Sequence, residues 1–512
     1  MVSLRRLLTH GYFPKELPPV FTTESFGIAV TDPSAKLPES FSKLPADARL
    51  ATHNIARVGT LRRTLGIPNP VLFYRLAITI AERWAEISPH YRRSELALSS
   101  PKHNNFPWGR AILTPRVDIR FARASSHATV RYLLKADISR FYHSIYTHSI
   151  PWALHGKAWS KIRKNRFGPA MGNELDKSSR NAQGGQTLGI PIGPDTSLAI
   201  ADLILSAVDE QFCRECPRLS GFRMWDEYEL GFSTRSEAEA GLAILQEVLG
   251  EMELALNSSK TRIIDLPQPF EARWVSEIRN YPFRQSAQGQ ASDIVGFFDR
   301  VFENARLFPT ESVVGYAVQR LSGVEILTGN WSLVHDILIQ AIIAEPGTFQ
   351  FVLPTMVRAR QRGLPIQTTK LCDAINLTIR SHAPLGHGSE VAWALWATLA
   401  FQLHIDADSA QAISRMSDSF VALLALDADA NGLIHTGLNT EWWASLMRSD
   451  ELYQNQWLLA YEANVKGWLP GELGKDHVQN DANFGFLKTM GVSFYESNRR
   501  LRVMNDGYQP QG

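Results

Sequence analysis

Three acidic residues in this chain of 512 residues are spaced so that their carboxylates could hold metal ions. Asp137 ends the apolar run RYLLKAD, and Asp226 and Glu227 stand side by side in FRMWDEYELGF. Nucleotidyl transfer uses two divalent cations about 3.5 to 4 Å apart, and Mg²⁺ prefers carboxylate oxygens. We therefore predict that Asp137 and Asp226 are metal ligands for Mg²⁺, or alternatively Mn²⁺, and that Glu227 belongs to the same catalytic group. Taken alone, the acidic pair is more typical of a solvated hairpin turn, and the rest of the chain has to decide.

Hydrophobic periodicity predicts the elements that must position these acids. RYLLKADIS reads as a buried strand and FRMWDEYELGF as a strand, a turn and a second strand. LALNSSKTRII, further along, predicts another strand. Helical spacing of apolar residues predicts helices in PNPVLFYRLAITIAERWAEI, DTSLAIADLILSAVDEQF and EAEAGLAILQEVLGEMEL.

Composition predicts three regions along the chain. Residues 1–50 form an N-terminal arm, irregular because it is rich in proline. Residues 51–305 form a domain with strands and helices, and residues 306–512 form an α-helical, repeat-like domain. The tryptophans of the last region are predicted to fill its core, with an exposed subset able to stack on bases: Trp393, Trp396, Trp442, Trp443, Trp457 and Trp468.

Charge is distributed unevenly along the chain. The net charge is only +2, yet residues 1–180 carry 28 Lys or Arg against 12 Asp or Glu. Clusters such as KIRKNR, residues 161–166, would form a positive surface suited to phosphates. The basic first third therefore favours a polyanionic partner over a merely solvated face.

Other features narrow the class of protein. The sequence has no apolar run of the roughly eighteen residues that a membrane span needs, and its start lacks the pattern of a signal peptide. Cys213, Cys216 and Cys372 lack zinc-ligand spacing and are interpreted as reduced thiols. We expect a cytoplasmic protein that does not bind a membrane.

Four motifs, in order, resemble the palm of a reverse transcriptase. ADISRFYHSIY resembles the first catalytic motif, GGQTLGIPIGPDTS the substrate-positioning loop, RMWDEY the Tyr-x-Asp-Asp hairpin, and LALNSSKTRI the Leu-x-Asn-x-x-Lys-Thr element. The resemblance implies an α+β fold with the fingers and palm of a right-hand polymerase, followed by the α-helical C-terminal domain. It also implies an RNA-directed DNA polymerase, a nucleotidyltransferase whose partners are deoxynucleoside triphosphates and its DNA product.

The resemblance further implies which residues bind the nucleotide. Gln186 and Gly189 would contact the incoming nucleotide, and Lys260 would lie near its triphosphate. Tyr142, five positions after Asp137, would exclude a ribose 2′-hydroxyl. Arg110, in the basic segment GRAILTPRVDIRFAR, is assigned to the same group.

The chain departs from the family pattern in the hairpin. Where the family has Tyr-x-Asp-Asp, this chain has Met224, Trp225, Asp226 and Glu227. Glutamate keeps the charge but moves it about one methylene outward. This favours a second hypothesis: a catalytically weak polymerase fold that serves as a nucleic-acid-binding sensor or scaffold.

Phrases near the N-terminus, GYFPKELPPVFTTESF and RRTLGIPNP, resemble the bacterial antiphage reverse transcriptases of the abortive-infection (Abi) and defence-associated group. That resemblance implies antiviral defence and a homo-oligomer. It also implies either protein-primed DNA synthesis without a template, or copying of a partner noncoding RNA. The priming residue stays open; Tyr12 and the tyrosines of the C-terminal half are candidates.

Overall fold

A computed structural model describes residues 2–42, 47–57, 61–106, 109–162, 170–217, 219–471 and 474–501. Its helices are α1 Leu4–His10, α2 Glu24–Val30, α3 Glu39–Ser42, α4 Pro70–Tyr91, α5 Ile119–Ser126, α6 Phe141–Ser144, α7 Ser149–His155, α8 Lys157–Lys161, α9 Met171–Asn181, α10 Asp195–Glu215, α11 Arg235–Glu251, α12 Arg273–Arg279, α13 Ala287–Leu307, α14 Val313–Ser322, α15 Trp331–Ala344, α16 Phe349–Gln361, α17 Thr368–His382, α18 Gly388–Phe401, α19 Ala407–Ile413, α20 Ser419–Ala430, α21 Glu441–Ala444, α22 Trp457–Val465 and α23 Ala482–Thr489. Its strands are β1 Ala51–Ala56, β2 Arg62–Ile67, β3 Lys102–His103, β4 Ile112–Leu113, β5 Tyr132–Asp137, β6 Ser220–Met224, β7 Glu227–Phe232 and β8 Arg262–Asp265.

Local sequence signals explain where the principal helices begin. At α4 the side chain of Asn69 accepts a hydrogen bond of 3.1 Å from the Val71 N–H, and Pro70 occupies the first turn, where its missing N–H costs nothing. At α11, Thr234 and Glu237 form a reciprocal capping box. These helices lie in the segments whose periodicity predicts them.

The chain forms two compact units, each built from three segments. The first contains Met1–Pro14, Thr23–Leu50 and Gly66–Phe270, and the second contains Lys15–Thr22, Ala51–Leu65 and Glu271–Gly512. These units differ from the predicted bounds, because the predicted boundary after residue 305 falls inside α13. The predicted irregular arm is also wrong in part, since apolar residues in its proline-poor stretches form the buried faces of α1 and α2.

A four-stranded antiparallel sheet lies in the first unit, with strand order β6-β7-β5-β8. Alternating side chains such as Leu134, Ala136, Tyr228 and Leu230 are buried, as a half-buried sheet requires. Helix α11 packs against β5, β7 and β8. The predicted strand LALNSSKTRII is shorter than expected, because residues 257–261 form a hydrogen-bonded turn before β8.

The second unit is helical from residue 271 onward through its described residues. Every residue of α18 is buried, which is typical of a helix surrounded by others. Helix α18 packs against α17 and α20, and α20 packs against α22. Four of the six tryptophans predicted to fill this core are buried, while Trp442 is half exposed: Trp393, Trp396, Trp443 and Trp457.

The chain is therefore a mixed helix-and-sheet protein with free thiols at Cys213, Cys216 and Cys372. Among the helices of the described ranges, none combines the length and apolarity that crossing a bilayer requires.

Candidate active site

The sheet brings the predicted acids together at the end of β5. Asp137, the last residue of β5, pairs directly with Glu227, the first residue of β7. One residue beyond, the Ile138 N–H donates a hydrogen bond of 3.2 Å to the carbonyl oxygen of Asp226. Because directly paired residues project from the same face of a sheet, Asp137 and Glu227 share one face.

A two-residue turn carries Asp226. Met224 pairs with Glu227, so Trp225 and Asp226 form the tip of the hairpin. Trp225 has a φ of 53°, the positive value that primed hairpin turns require and that L-residues other than glycine rarely adopt. Its N–H donates to the hydroxyl of Ser99 at 2.7 Å, and its carbonyl accepts from Arg223 at 2.7 Å. Hydrogen bonds on both sides of the residue hold this unfavourable conformation.

A buried charge network lies beneath the hairpin. The fully buried guanidinium of Arg223 contacts Asp209 at 2.7 Å and Asp202 at 2.9 Å, both on α10. The hydroxyl of Tyr228 donates to Asp209 at 2.8 Å. Burial raises the pKa of Asp202 and of Tyr228, but the two carboxylates hold the pKa of Arg223 above its usual range. The network joins the turn to α10. Its charged groups can be buried because each one is paired with an opposite charge.

Lys260 points its ammonium at the carboxylate of Asp137. Its Nζ lies 2.8 Å from Asp137 Oδ2, and Asn257 Nδ2 lies 3.4 Å from Asp137 Oδ1. The turn that holds Lys260 forms because the Asn257 side chain accepts from the Ser259 N–H at 3.1 Å and the Asn257 carbonyl accepts from the Lys260 N–H. Asp137 is buried, whereas Lys260 remains half exposed.

Charges at this site influence one another. The surrounding protein removes water from the Glu227 carboxyl and raises its pKa, and the negative charges of Asp226 and Asp137 raise it further against the opposing effect of Lys260. The hydrogen bond to Asp137 raises the pKa of Lys260, against partial desolvation. The site therefore concentrates negative charge that a cation would stabilise.

The donor set suits a hard divalent cation. Asp137, Asp226 and Glu227 offer carboxylate oxygens, the ligands that Mg²⁺ prefers. Within the described ranges, ligand atoms of all three do not approach to 4.8 Å of one another. Asp137 and Asp226 stay the predicted metal ligands, with Glu227 in the same acidic group.

The predicted substrate loop packs beside the segment that follows β5. The Ile190 N–H donates to the carbonyl of Tyr142 at 2.8 Å, and Gly189 has a φ of 84° and lies so close to His143 that an added Cβ would meet its backbone oxygen at 3.2 Å. Gln186 is exposed, and its carbonyl accepts from Gln183 Nε2 at 2.8 Å. Tyr142, Gln186 and Gly189 thus belong to one substructure.

Arg110 pairs with a carboxylate at the start of α10, and its assignment to the nucleotide stays a prediction. Its Nε donates to Asp195 Oδ1 at 2.7 Å, and its Nη2 donates to the carbonyl of Gly193 at 2.7 Å. Asp195 is buried, which raises the pKa of its carboxyl, while Arg110 opposes that shift. Arg110 therefore stabilises the start of α10, and none of its hydrogen bonds reaches the acids at the end of β5.

Two other expectations concern the arm and the basic clusters. Tyr12 is fully buried, and its hydroxyl donates to the carbonyl of Pro68. The prediction that Tyr12 could offer an exposed priming hydroxyl is therefore wrong. Burial also raises the pKa of Tyr12 well above its usual value. Most of the cluster KIRKNR lies outside the described residues.

Sequence reasoning missed the groups that support the site: Asp202, Asp209, Arg223, Gln183 and Asn257. A signal for the first two exists in the sequence. Asp195, Asp202 and Asp209 recur every seven residues in an otherwise apolar helix, which places them on one face. All three are buried, and each pairs with an arginine.

Fold and site together describe a mixed helix-and-sheet protein whose antiparallel sheet presents acids beside a lysine. No family model and no curated protein matches the chain. Among solved structures it is similar to telomerase from Candida albicans in complex with a TWJ fragment of telomeric RNA, at 10% identity and a TM-score of 0.28. The match covers 68% of this chain and 64% of the telomerase chain, so this chain spans less than two thirds of that protein's length. So low a similarity carries no argument about function.

Proposed function

We propose that this chain is a nucleotidyltransferase of reverse transcriptase type that adds deoxynucleotides to a growing DNA strand. The observation that carries the proposal is the pairing of β5 with the hairpin, which sets Asp137 opposite Glu227 and beside the backbone of Asp226. Lys260 Nζ lies 2.8 Å from Asp137 in the same place. The order of these residues along the chain is the order of the motifs that resemble a reverse transcriptase.

Each residue has a distinct role in this proposal. Asp137 and Asp226 would hold Mg²⁺ ions, which when bound activate the attacking hydroxyl and neutralise the phosphates. Lys260 would offset negative charge that develops on the leaving group. Tyr142 and Gly189 would shape the nucleotide pocket. Their backbones lie close together because Ile190, the residue after Gly189, donates its N–H to the Tyr142 carbonyl.

The test is DNA synthesis by the purified protein. It is incubated with Mg²⁺ or Mn²⁺ and labelled deoxynucleotides, without added primer or template, and products are run before and after nuclease and protease treatment. Asp137→Ala should abolish incorporation, whereas Asp265→Asn, which alters an exposed acid on the neighbouring strand β8, should leave it intact. Incorporation that survives Asp137→Ala would overturn the site assignment.

The same assay separates two modes of synthesis. Label that withstands ribonuclease pretreatment of the enzyme and shifts on proteolysis supports protein-primed, untemplated synthesis. Label that appears only after RNA is added supports copying of a noncoding RNA. Resemblance to the antiphage reverse transcriptases extends the proposal to phage defence by a homo-oligomer, and loss of plating protection with Asp137→Ala is the corresponding test in cells.

A second candidate is a nucleic-acid-binding scaffold with weak or no catalysis. Two observations favour it: Glu227 stands where the family keeps aspartate, and Lys260 pairs with the carboxylate proposed to bind metal. It predicts tight binding of single-stranded nucleic acid with little or no incorporation, and a gain of synthesis in Glu227→Asp. Synthesis by the wild-type chain at the rate of Glu227→Asp would exclude this candidate.

A further inference from the structure

A cluster of two histidines and a glutamate lies in the second compact unit, outside the proposed polymerase site. His382 Nδ1 and His387 Nδ1 are 2.9 Å apart, and each lies 3.8 Å from Glu390 Oε1. Within the described ranges, this is the group of three or more His, Cys, Asp or Glu ligands that converges closely enough to hold one ion. These residues lie outside the four motifs that predict the polymerase site.

The three donor atoms have the spacing of a metal site. For a triangle with sides of 2.9, 3.8 and 3.8 Å, the point equidistant from all three corners lies about 2.1 Å from each. Zinc binds histidine nitrogen at about 2.0 to 2.1 Å and carboxylate oxygen at about 2.0 to 2.2 Å. One ion at that point would lie at bonding distance from all three donor atoms, and a small shift of those atoms would bring it out of their plane into the tetrahedral geometry of zinc.

Rigid backbone holds the ligands in place. His382 is the last residue of α17, His387 precedes the first residue of α18, and Glu390 lies in the first turn of α18. The side chain of Asn54 in β1 donates to the Gly386 carbonyl at 2.5 Å and accepts from the Gly388 N–H at 2.9 Å. The side chain of Asn54 thus holds the loop between the two helices at two points.

The surroundings of Glu390 match the outer shell of a metal site. Glu390 is buried, and Arg62 contacts both of its oxygens. Glu390 Oε2 lies 2.6 Å from Arg62 Nη2 and accepts from the Ser389 hydroxyl at 3.1 Å. Oε1 is the oxygen 3.8 Å from each histidine, and it also accepts from Arg62 Nη1. Hydrogen bonds of this kind orient carboxylate ligands in metalloproteins.

Burial and the neighbouring Arg62 shift the pKa values of the cluster. Burial and the positive charge of Arg62 lower the pKa values of His382 and His387, against the effect of Glu390. Burial opposes ionisation of Glu390, but the hydrogen bonds and charge of Arg62 outweigh it and lower the pKa of that carboxyl.

We propose that His382, His387 and Glu390 bind one divalent transition-metal ion of the zinc class. Nitrogen ligands favour Zn²⁺ or Co²⁺ over Mg²⁺, which prefers oxygen. Three protein ligands leave a position for water or another ligand, and the two histidine side chains are each 22% exposed, so solvent reaches the site. The proposal does not depend on the proposed polymerase activity.

The test uses full-length, tag-free protein stripped of metal with a chelator. Co²⁺ is titrated while its visible absorption bands are recorded, and Zn²⁺ is then added to displace it. We expect one Co²⁺ per chain, displacement by Zn²⁺, no displacement by Mg²⁺, and a Zn²⁺-dependent rise in melting temperature. His387→Gln should weaken Zn²⁺ binding by more than about tenfold and remove that rise.

A matched pair of histidines serves as the control. His404 and His435 stack with ring centroids 4.4 Å apart in the same unit, and among the described residues they belong to no converging group of three ligands. His404→Gln should leave Co²⁺ and Zn²⁺ binding unchanged. The proposal is overturned if wild-type protein shows no Co²⁺ bands, or if it binds Zn²⁺ no more tightly than His387→Gln, and circular dichroism establishes that each variant is folded.

Discussion

Arg223 donates a hydrogen bond of 2.7 Å to the carbonyl oxygen of Trp225, and so joins a buried cation to the turn that carries Asp226. The same guanidinium pairs with Asp202 and Asp209. The position of a proposed metal ligand at the surface therefore depends on charges in the interior.

Replacing Arg223 should damage both stability and activity. Arg223→Met leaves Asp202 and Asp209 buried without their cation, which costs about 3 to 5 kcal/mol of unfolding free energy. Denaturant unfolding measures this loss, and the incorporation assay measures the effect on the turn. Arg214→Met, which removes an exposed pairing with Glu210 on the same helix α10, should cost less than about 0.5 kcal/mol. Equal effects of the two substitutions would contradict the role of the network.

Lys260 should affect the chemical step more than the fold. Lys260→Met removes the cation 2.8 Å from Asp137, and we expect kcat/KM for deoxynucleotides to fall by about 100-fold. Lys260→Arg should retain part of the activity because the charge remains. Lys157→Met is the control, since Lys157 Nζ donates to the Glu251 carbonyl instead. Activity unchanged in Lys260→Met would show that the lysine only balances the charge of Asp137.

Tyr142 is predicted to select the sugar. Its half-buried ring packs edge-on against Phe141 with centroids 5.5 Å apart, and its carbonyl is fixed by Ile190. Tyr142→Ala should raise incorporation of ribonucleotides relative to deoxynucleotides by roughly 10- to 100-fold. Competition between the two labelled nucleotides measures the ratio. Tyr146→Ala, nearby and packed against Trp152, should leave it unchanged.

Glu462 in α22 should make stability depend on pH. Burial raises the pKa of Glu462 to about 7, against hydrogen bonds from Phe494 and Ser493. The folded protein then keeps a proton that the unfolded chain loses above about pH 4.5. Unfolding free energy should fall as pH rises from about 4.5 to 7, by an amount on the order of 3 kcal/mol.

Glu462→Gln should flatten this dependence, as measured by denaturant unfolding followed through tryptophan fluorescence between pH 4.5 and 8. Glu345, whose pKa burial raises to about 7 as well, should contribute a similar slope that Glu345→Gln removes separately. Glu441→Gln changes an exposed acid of the same unit and should leave the pH dependence of the unfolding free energy unchanged. A slope that persists in the double variant Glu345→Gln, Glu462→Gln would refute the assignment.

Patterns in the sequence predicted the elements around the acids well because those elements have strong periodicity. β5, the hairpin and α10 lie where apolar spacing places them. The motif order predicted that Lys260 would lie near the triphosphate, which stays a prediction; in the structure the lysine forms an ion pair with Asp137. Such local signals are enough to predict a strand or helix that is long and has one apolar face.

Long-range pairing was harder to foresee. Arg110 was assigned to the nucleotide as one arginine of a basic segment, but only the folded chain shows that it pairs with Asp195, 85 positions away. Tyr12 was placed in an irregular arm, yet its ring stacks on Phe73 at 3.9 Å and is buried. Neither contact leaves a local periodic trace, so sequence spacing alone could not reveal it.

The interleaving of the two compact units limits how the protein can be divided. The second unit includes Lys15–Thr22 and Ala51–Leu65 as well as the chain from Glu271 onward. A fragment starting at residue 271 would lack Arg62, which pairs with the buried Glu390, and the Thr22 N–H that donates to the Phe494 carbonyl. Cutting the chain at a single peptide bond therefore cannot produce the complete second unit. A fragment that contains the whole unit would also have to include residues 15–22 and 51–65.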